Sequence, residues 1–252
     1  MVADMKNIVK NPTFYICLIS LVAAVMALLF LEGEILLNSP SREIYPVRGT
    51  DVSSWQGDID WQRFGNGMDF AFIKATEGSG HTDPYFQYNL EQARTQGIPC
   101  GAYHFFSYDS AGVSQAENFI SVVPVCDDML PPVIDLEFYG DKEKHLPEKA
   151  EVVSQLSDMI EAFSEHYGKV PIIYATKKSY DLYIAGQFLD CPVWIREVTP
   201  TACPVLSDGR EWTFWQYTNR YRAEGLSGGV RFVDMNVFNG TTEEFSGFLA
   251  YK

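Results

Sequence analysis

The chain is short of positive charge: 19 Lys and Arg stand against 33 Asp and Glu, a formal charge of −14 with a pI near 4.6. Without a basic face to neutralise phosphates, nucleic acid is not expected as a partner. Histidine is scarce too, with four residues, and the five cysteines contain no C-x-x-C pair. The spacings of a zinc site are therefore missing, and neither a metal nor an organic cofactor is expected. Internal repeats and low-complexity tracts are absent, which sets aside solenoids and disordered chains. What remains is 252 residues, 46% hydrophobic and 14% aromatic. That is ample for a sizeable core, either as two small domains or as one large α/β barrel. An acidic surface ordinarily does no more than keep a protein soluble, but carboxylates gathered in one cleft read as catalytic.

The N-terminus differs from the rest. Lys6 and Lys10 precede an uncharged apolar run from Phe14 to Leu31, and Glu32 and Glu34 follow it. The run approaches the ~20 residues needed to span a bilayer, and lysines on its near side favour a cytoplasmic N-terminus. Residues 1–31 are thus read as a cytoplasmic stub with a transmembrane anchor or signal segment. Val25 and Ala27 offer a small-residue cleavage site, so both anchor and cleaved signal stay open. Either way the remainder is expected outside the cytoplasm, membrane-anchored or secreted. Residues 32–46, with Ser, Pro and charge but no periodicity, read as a linker, and 47–252 as the folded domain. Cys17 lies in the apolar run. Cys100, Cys126, Cys191 and Cys203 could pair in an oxidising compartment or stay as free buried thiols.

From Val47 onward short β-rich runs alternate with helical stretches: 47–52, 69–76, 100–107, 131–138 and 170–176 are the strands. Between them lie 84–97, a stretch around 114–122, and 146–168, where Val153, Leu156, Ile160, Phe163 and Tyr167 form an apolar stripe. After residue 188 three more runs, CPVWIREV, EWTFWQYT and FVDMNVF, follow with connections too short for full helices. Five βα units plus three strands make eight. A modified TIM-like α/β barrel, (β/α)5(β)3, is expected over an open sheet.

A parallel barrel works at the C-terminal ends of its strands. The fourth strand ends Val133, Ile134, Asp135, Leu136, Glu137, so alternation turns Asp135 and Glu137 to one side with Cα atoms roughly 6.6 Å apart. Two like charges that close raise the pKa of one, which keeps a carboxylic acid protonated near neutral pH. Asp51 ends the first strand and Asp234 sits in the last, and these two strands are neighbours in a closed barrel. The four carboxylates would ring one mouth. Aromatics near the strand ends, Tyr103, Tyr174, Trp194, Trp215 and Tyr217, suit sugar rings, whose bridging oxygen needs a proton.

Eight segments in order then carry a resemblance. They are Asp51-Val-Ser-x-x-Gln-Gly, Phe72-Ile-Lys-Ala-Thr-Glu-Gly78 with Asp83, Gly101-Ala-Tyr-His-Phe105, Ile134-Asp-Leu-Glu137, Ile173-Tyr174, Trp194-Ile195, Trp215-Gln-Tyr217 and Val233-Asp-x-Asn236. From Val47 to about Phe238 the chain resembles the family 25 glycoside hydrolases, the Chalaropsis-type lysozymes. The resemblance implies a (β/α)5(β)3 barrel and an acidic site at Asp51, Asp135, Glu137 and Asp234. It also implies hydrolysis of the β-1,4 bond between N-acetylmuramic acid and N-acetylglucosamine in peptidoglycan. The expected partners are peptidoglycan glycan strands and, through the N-terminal segment, the membrane; no obligate protein partner is inferred. Two departures stand out. His81 replaces an aromatic or Leu, and Arg196-Glu197-Val198 replaces a small residue and Tyr after the sixth-strand Trp-Ile. Two other readings stay open: a peptidoglycan-binding module that no longer cleaves, and a hydrolase of another amino-sugar polymer.

Overall fold

The computed structural model describes residues 12–250 apart from 202 and 228, so Lys6 and Lys10 lie outside the described residues. The chain forms two compact units, divided between Leu37 and Asn38. In the first unit, helix α1 (Pro12–Leu31) has no buried residue. Its 20 residues are long and apolar enough to cross a membrane.

The second unit is an eight-stranded closed barrel, as the alternation predicts. Its strands are β1 (Arg48–Val52), β2 (Phe70–Glu77), β3 (Cys100–Phe105), β4 (Val133–Leu136), β5 (Ile172–Thr176), β6 (Val193–Arg196), β7 (Phe214–Tyr221) and β8 (Val233–Phe238). Strands β1 to β7 pair in parallel in chain order. Strand β8 runs against both of its neighbours, pairing β7 on one side and β1 on the other, with Asp51 opposite Asp234. The crossovers carry α2 (Trp61–Phe64), α3 (Phe86–Thr95), α4 (Gly112–Val122) and α5 (Lys149–Tyr167), and β5 is followed by the short helical segment 177–184. Helix α6 (Thr242–Ala250) closes the chain.

Helix α5 ends where Gly168 takes φ 65°, a left-handed stop that glycine adopts without a Cβ clash. Its buried face is Val152, Leu156, Met159 and Phe163. The expected stripe shares only Leu156 and Phe163 with it. Val153, Ile160 and Tyr167 are half-buried on the flank, where Phe163 and Tyr167 meet Phe119 of α4.

The barrel interior is aromatic at its lower end. Phe70, Phe72, Phe214 and Phe238 pack together, and α6 inserts Phe245 against Phe70 and Phe238 at centroid distances of 5.5 and 5.3 Å. Gly49 makes room for this layer: a Cβ there would lie 2.4 Å from the Phe70 ring. The rings fill the lower barrel, which leaves the polar residues of the interior at the upper mouth.

Residues 38–46 are tied to the barrel at Asn38, Pro40 and Tyr45, with exposed residues between. Asn38, only 3% exposed, donates from Nδ2 to the carbonyls of Glu197, Thr199 and Tyr217 and accepts from the Thr201 N–H. Tyr45 lies against Trp212 and Trp215, and the Arg48 guanidinium donates to the Pro40 carbonyl. All five cysteines are free, Cys100 and Cys191 being buried with thiols pushed up to about 12 by desolvation.

Candidate active site

Alternation along each strand decides which side chains enter the mouth. A cleft of about 410 Å3 is lined there by Asp51 from β1, Lys74 from β2, Tyr103 and Phe105 from β3, Asp135 and Glu137 from β4 and its end, Tyr174 from β5, Trp194 and Arg196 from β6, Gln216 from β7 and Asp234 from β8. All four expected carboxylates are therefore brought together. Asp234 reaches the same mouth as the others because β8 is antiparallel, so its beginning lies beside the ends of the parallel strands.

The aromatic expectations divide. Tyr103, Tyr174 and Trp194 line the cleft. Trp215 and Tyr217 do not: in β7 the inward positions are Phe214 and Gln216, and the two aromatics between and beyond them face out. Trp215 donates from Nε1 to the Glu197 carbonyl and packs on Tyr45 and Trp212, while Tyr217 lies under the Arg48 guanidinium. Among the described residues no helix follows β7, and these rings lie on its outer face.

Two amides organise Asp51. Gln216 Nε2 donates to Oδ1 and Oδ2 at 3.1 and 3.2 Å, and Asn236 Nδ2 donates to Oδ1 at 2.7 Å. Both amides are themselves oriented: Tyr174 OH donates to Gln216 Oε1 at 3.0 Å, and Trp194 Nε1 donates to Asn236 Oδ1 at 2.8 Å. Tyr174 and Trp194, both almost fully buried at the floor of the cleft, thus use their polar atoms to fix the support of a carboxylate. Sequence reading overlooked Gln216 and Asn236 as site residues, although both stand inside motifs it quoted.

Burial is the first cause of the shift in each of the four cleft carboxylates. It raises Asp51 to about 6, against the pull of the Asn236 and Gln216 hydrogen bonds and the Arg196 charge. Asp135 is pushed well up by burial and then by the Glu137 charge. Its Oδ1 is buried and has no hydrogen-bond partner. Burial also raises Glu137, with Arg196 opposing, and it raises Asp234, where the Asp51 charge adds to it and Arg196 again opposes. Four raised carboxylates around one opening form a proton-holding site.

The rim adds a further residue missed by sequence reading. Trp55 is 79% exposed yet borders the cleft. Its turn is tightly held: Ser53 and Gln56 form a reciprocal cap, and buried Asp83 accepts from Ser54 N–H at 2.9 Å and Tyr85 N–H at 2.9 Å. A large indole amid Ser, Gln and Gly, with no apolar neighbour in sequence, was the available signal. Among the described residues no group of His, Cys, Asp and Glu is gathered as a metal site.

Paired acids beneath a sugar-sized, aromatic-walled opening at the mouth of such a barrel define a glycosidase. The chain belongs to the glycosyl hydrolases family 25, whose model matches residues 50–226. It is similar to the structure of a family 25 glycosyl hydrolase from Bacillus anthracis, at 50% identity and TM-score 0.78 over 83% of this chain and 95% of that one. The Escherichia coli K12 protein YegX is 40% identical over 81% of this chain and 74% of its own. Lysozyme M1 of Streptomyces globisporus is 35% identical over 77% of this chain and 68% of its own.

Proposed function

We propose that the protein is an extracytoplasmic N-acetylmuramidase that hydrolyses the β-1,4 bond between N-acetylmuramic acid and N-acetylglucosamine in peptidoglycan. Membership of the family that includes lysozymes supports the substrate class. Helix α1, preceded by Lys6 and Lys10, supports export as an anchor or signal, with the barrel beyond it outside the cytoplasm. The unpartnered Oδ1 of Asp135 beside Glu137 carries the mechanistic reading.

Glu137 is the general acid and then the general base. It stands at the lip, bordering both the cleft and the depression beside it, where a glycosidic oxygen can reach it. Asp135 lies deeper, 7% exposed, with one oxygen free to accept. The N–H of a bound 2-acetamido group supplies that missing bond, and a hydrogen bond to the charged form favours the carboxylate. Binding then leaves the shared proton on Glu137, the pair titrating as a unit. As the acetamido oxygen attacks the anomeric carbon, ionised Asp135 stabilises the positive charge on the ring that forms. Water opens the ring with Glu137 as base, giving retention. Asp51 and Asp234 shape the field around this pair. Trp55 and Tyr103 offer ring faces to the sugars, while Tyr174 and Trp194, buried in the floor, hold the amides that support Asp51.

Mass spectrometry of products from defined peptidoglycan tests the bond, since muramic acid should carry the new reducing end. A new end on glucosamine overturns the bond assignment, and binding to sacculi without cleavage marks a non-catalytic module. Glu137→Gln should lower turnover by about 10²- to 10⁴-fold with binding of wall fragments retained, and Asp135→Asn comparably. Asp51→Asn and Asp234→Asn should cost less, about 10- to 10³-fold. Near-normal turnover by Glu137→Gln would remove the acid from β4.

A further inference from the structure

Arg196 ends β6 on its inward face, half-buried, and borders two hollows at once. One is the carboxylate cleft. The other is a depression beside it bounded by Glu137, Glu143, Thr176, Lys177, Lys178 and Thr199. Beyond the acid pair, the neighbouring charged groups are occupied. Glu143 pairs with Lys178 at 3.2 Å, the Glu197 carboxylate accepts from the N–H and hydroxyl of Thr199, and Lys177 donates to the Val205 carbonyl at 3.1 Å. The Arg196 side chain makes no hydrogen bond or ion pair with any described residue. Its charge acts on Asp51, Glu137 and Asp234 only at a distance.

A guanidinium offers five donors in a planar fork, and the group that fills it best is a carboxylate bound through two oxygens. The cleft's own carboxylates lie beyond ion-pair distance, so the fork is open to a ligand. Lys177, exposed at the depression, adds a second positive charge with no carboxylate partner among the described residues.

We infer that Arg196, backed by Lys177, is a subsite for a carboxylate carried by the substrate next to the bond being cut. The inference rests on the muramidase reading and deepens it. A chain of N-acetylglucosamine alone has no anion, whereas a muramyl residue bears a lactyl group. Without a stem peptide that group ends in a carboxylate, and with one the carboxylates belong to the peptide. A cation one step from the catalytic acid would therefore favour muramyl glycans over neutral amino-sugar polymers. It would do so through a charge-assisted contact, whose geometry carries specificity as well as affinity.

The test compares substrates pairwise, so that any effect of Arg196 on the site's own acids cancels in the ratio. One pair is stemless glycan with free lactyl carboxylates against the same glycan with those groups converted to carboxamides. The second is peptide-bearing glycan against its carboxamide form. In one of the pairs the full-length protein should prefer the free acid by about 10- to 100-fold in kcat/KM, the range of a charged hydrogen bond. Arg196→Gln should bring that preference close to one, and Arg196→Lys should restore part of it. The pair in which the preference appears identifies the lactyl or the peptide carboxylate as its source. No preference in either pair, or one that survives in Arg196→Gln, overturns the subsite while leaving the muramidase reading intact. Failure of the unaltered protein to release reducing ends from any of the four glycans overturns that reading, and the subsite with it.

Discussion

Asp135 shows what a buried place in the cleft costs the fold. Burial and the Glu137 charge raise its pKa, and Oδ1 receives no hydrogen bond in return. The folded chain therefore holds a proton at pH values where the unfolded chain has released it. Linkage fixes the sign: the stabilising contribution is complete below the unfolded pKa of about 3.9 and is lost as pH rises through the higher folded value. Asn at this position cannot ionise and abandons no existing bond. Asp135→Asn should consequently melt close to the parent near pH 4 and at least about 3 °C higher at pH 7, since 1 kcal/mol is worth roughly 2–4 °C in a domain of this size. Buried His104, lowered to about 4 by desolvation and held between Thr76 and Gln115, contributes the opposite slope. It does so in both proteins and drops out of the comparison. Melting curves across that pH range would refute the idea if the variant were less stable at pH 7 or the gap were constant.

Strand β7 is the element whose sequence is hardest to read. Phe-Trp-Gln-Tyr places aromatics on both faces, and an aromatic near a strand end attracts a binding role. Which face is inner depends on what covers the outer one. In the first five units a helix or helical segment follows each strand, but β6 and β7 have none, so Trp212, Trp215 and Tyr45 form the lid from outside. The inward Gln216, a less conspicuous residue, acts on Asp51. Residues 38–46, polar and aperiodic in sequence, are held on the outer side through Asn38 and the Tyr45 ring. A chain beginning at Val47 loses the Asn38 bridges and the Tyr45 ring. With each buried hydrogen bond worth about 1 kcal/mol, it should melt at least about 5 °C below a chain beginning at Asn38. Equal melting temperatures would return this segment to the status of a linker.

For the whole molecule, the barrel and its four carboxylates were legible because both rest on short-range regularities. Strand and helix periods alternate along the chain, and a two-residue spacing puts Asp135 and Glu137 on one side. Gln216 and Asn236 gain their meaning only from the Asp51 carboxylate that closure sets beside them, which no local pattern carries. Closure also imposes an order in time. Asp51 takes one of its hydrogen bonds from Asn236, 185 positions later, and another from Gln216 of β7. Its carboxylate lacks this support until the last strand docks against the first. Helices form within microseconds, whereas contacts between the two ends of a chain are the slow ones. During refolding, cleavage should return with the slowest phase, after the helical signal is complete, and activity that preceded closure would contradict this. A chain delivered N-terminus first would then carry a dormant wall-cutting site for as long as its final segment has yet to arrive.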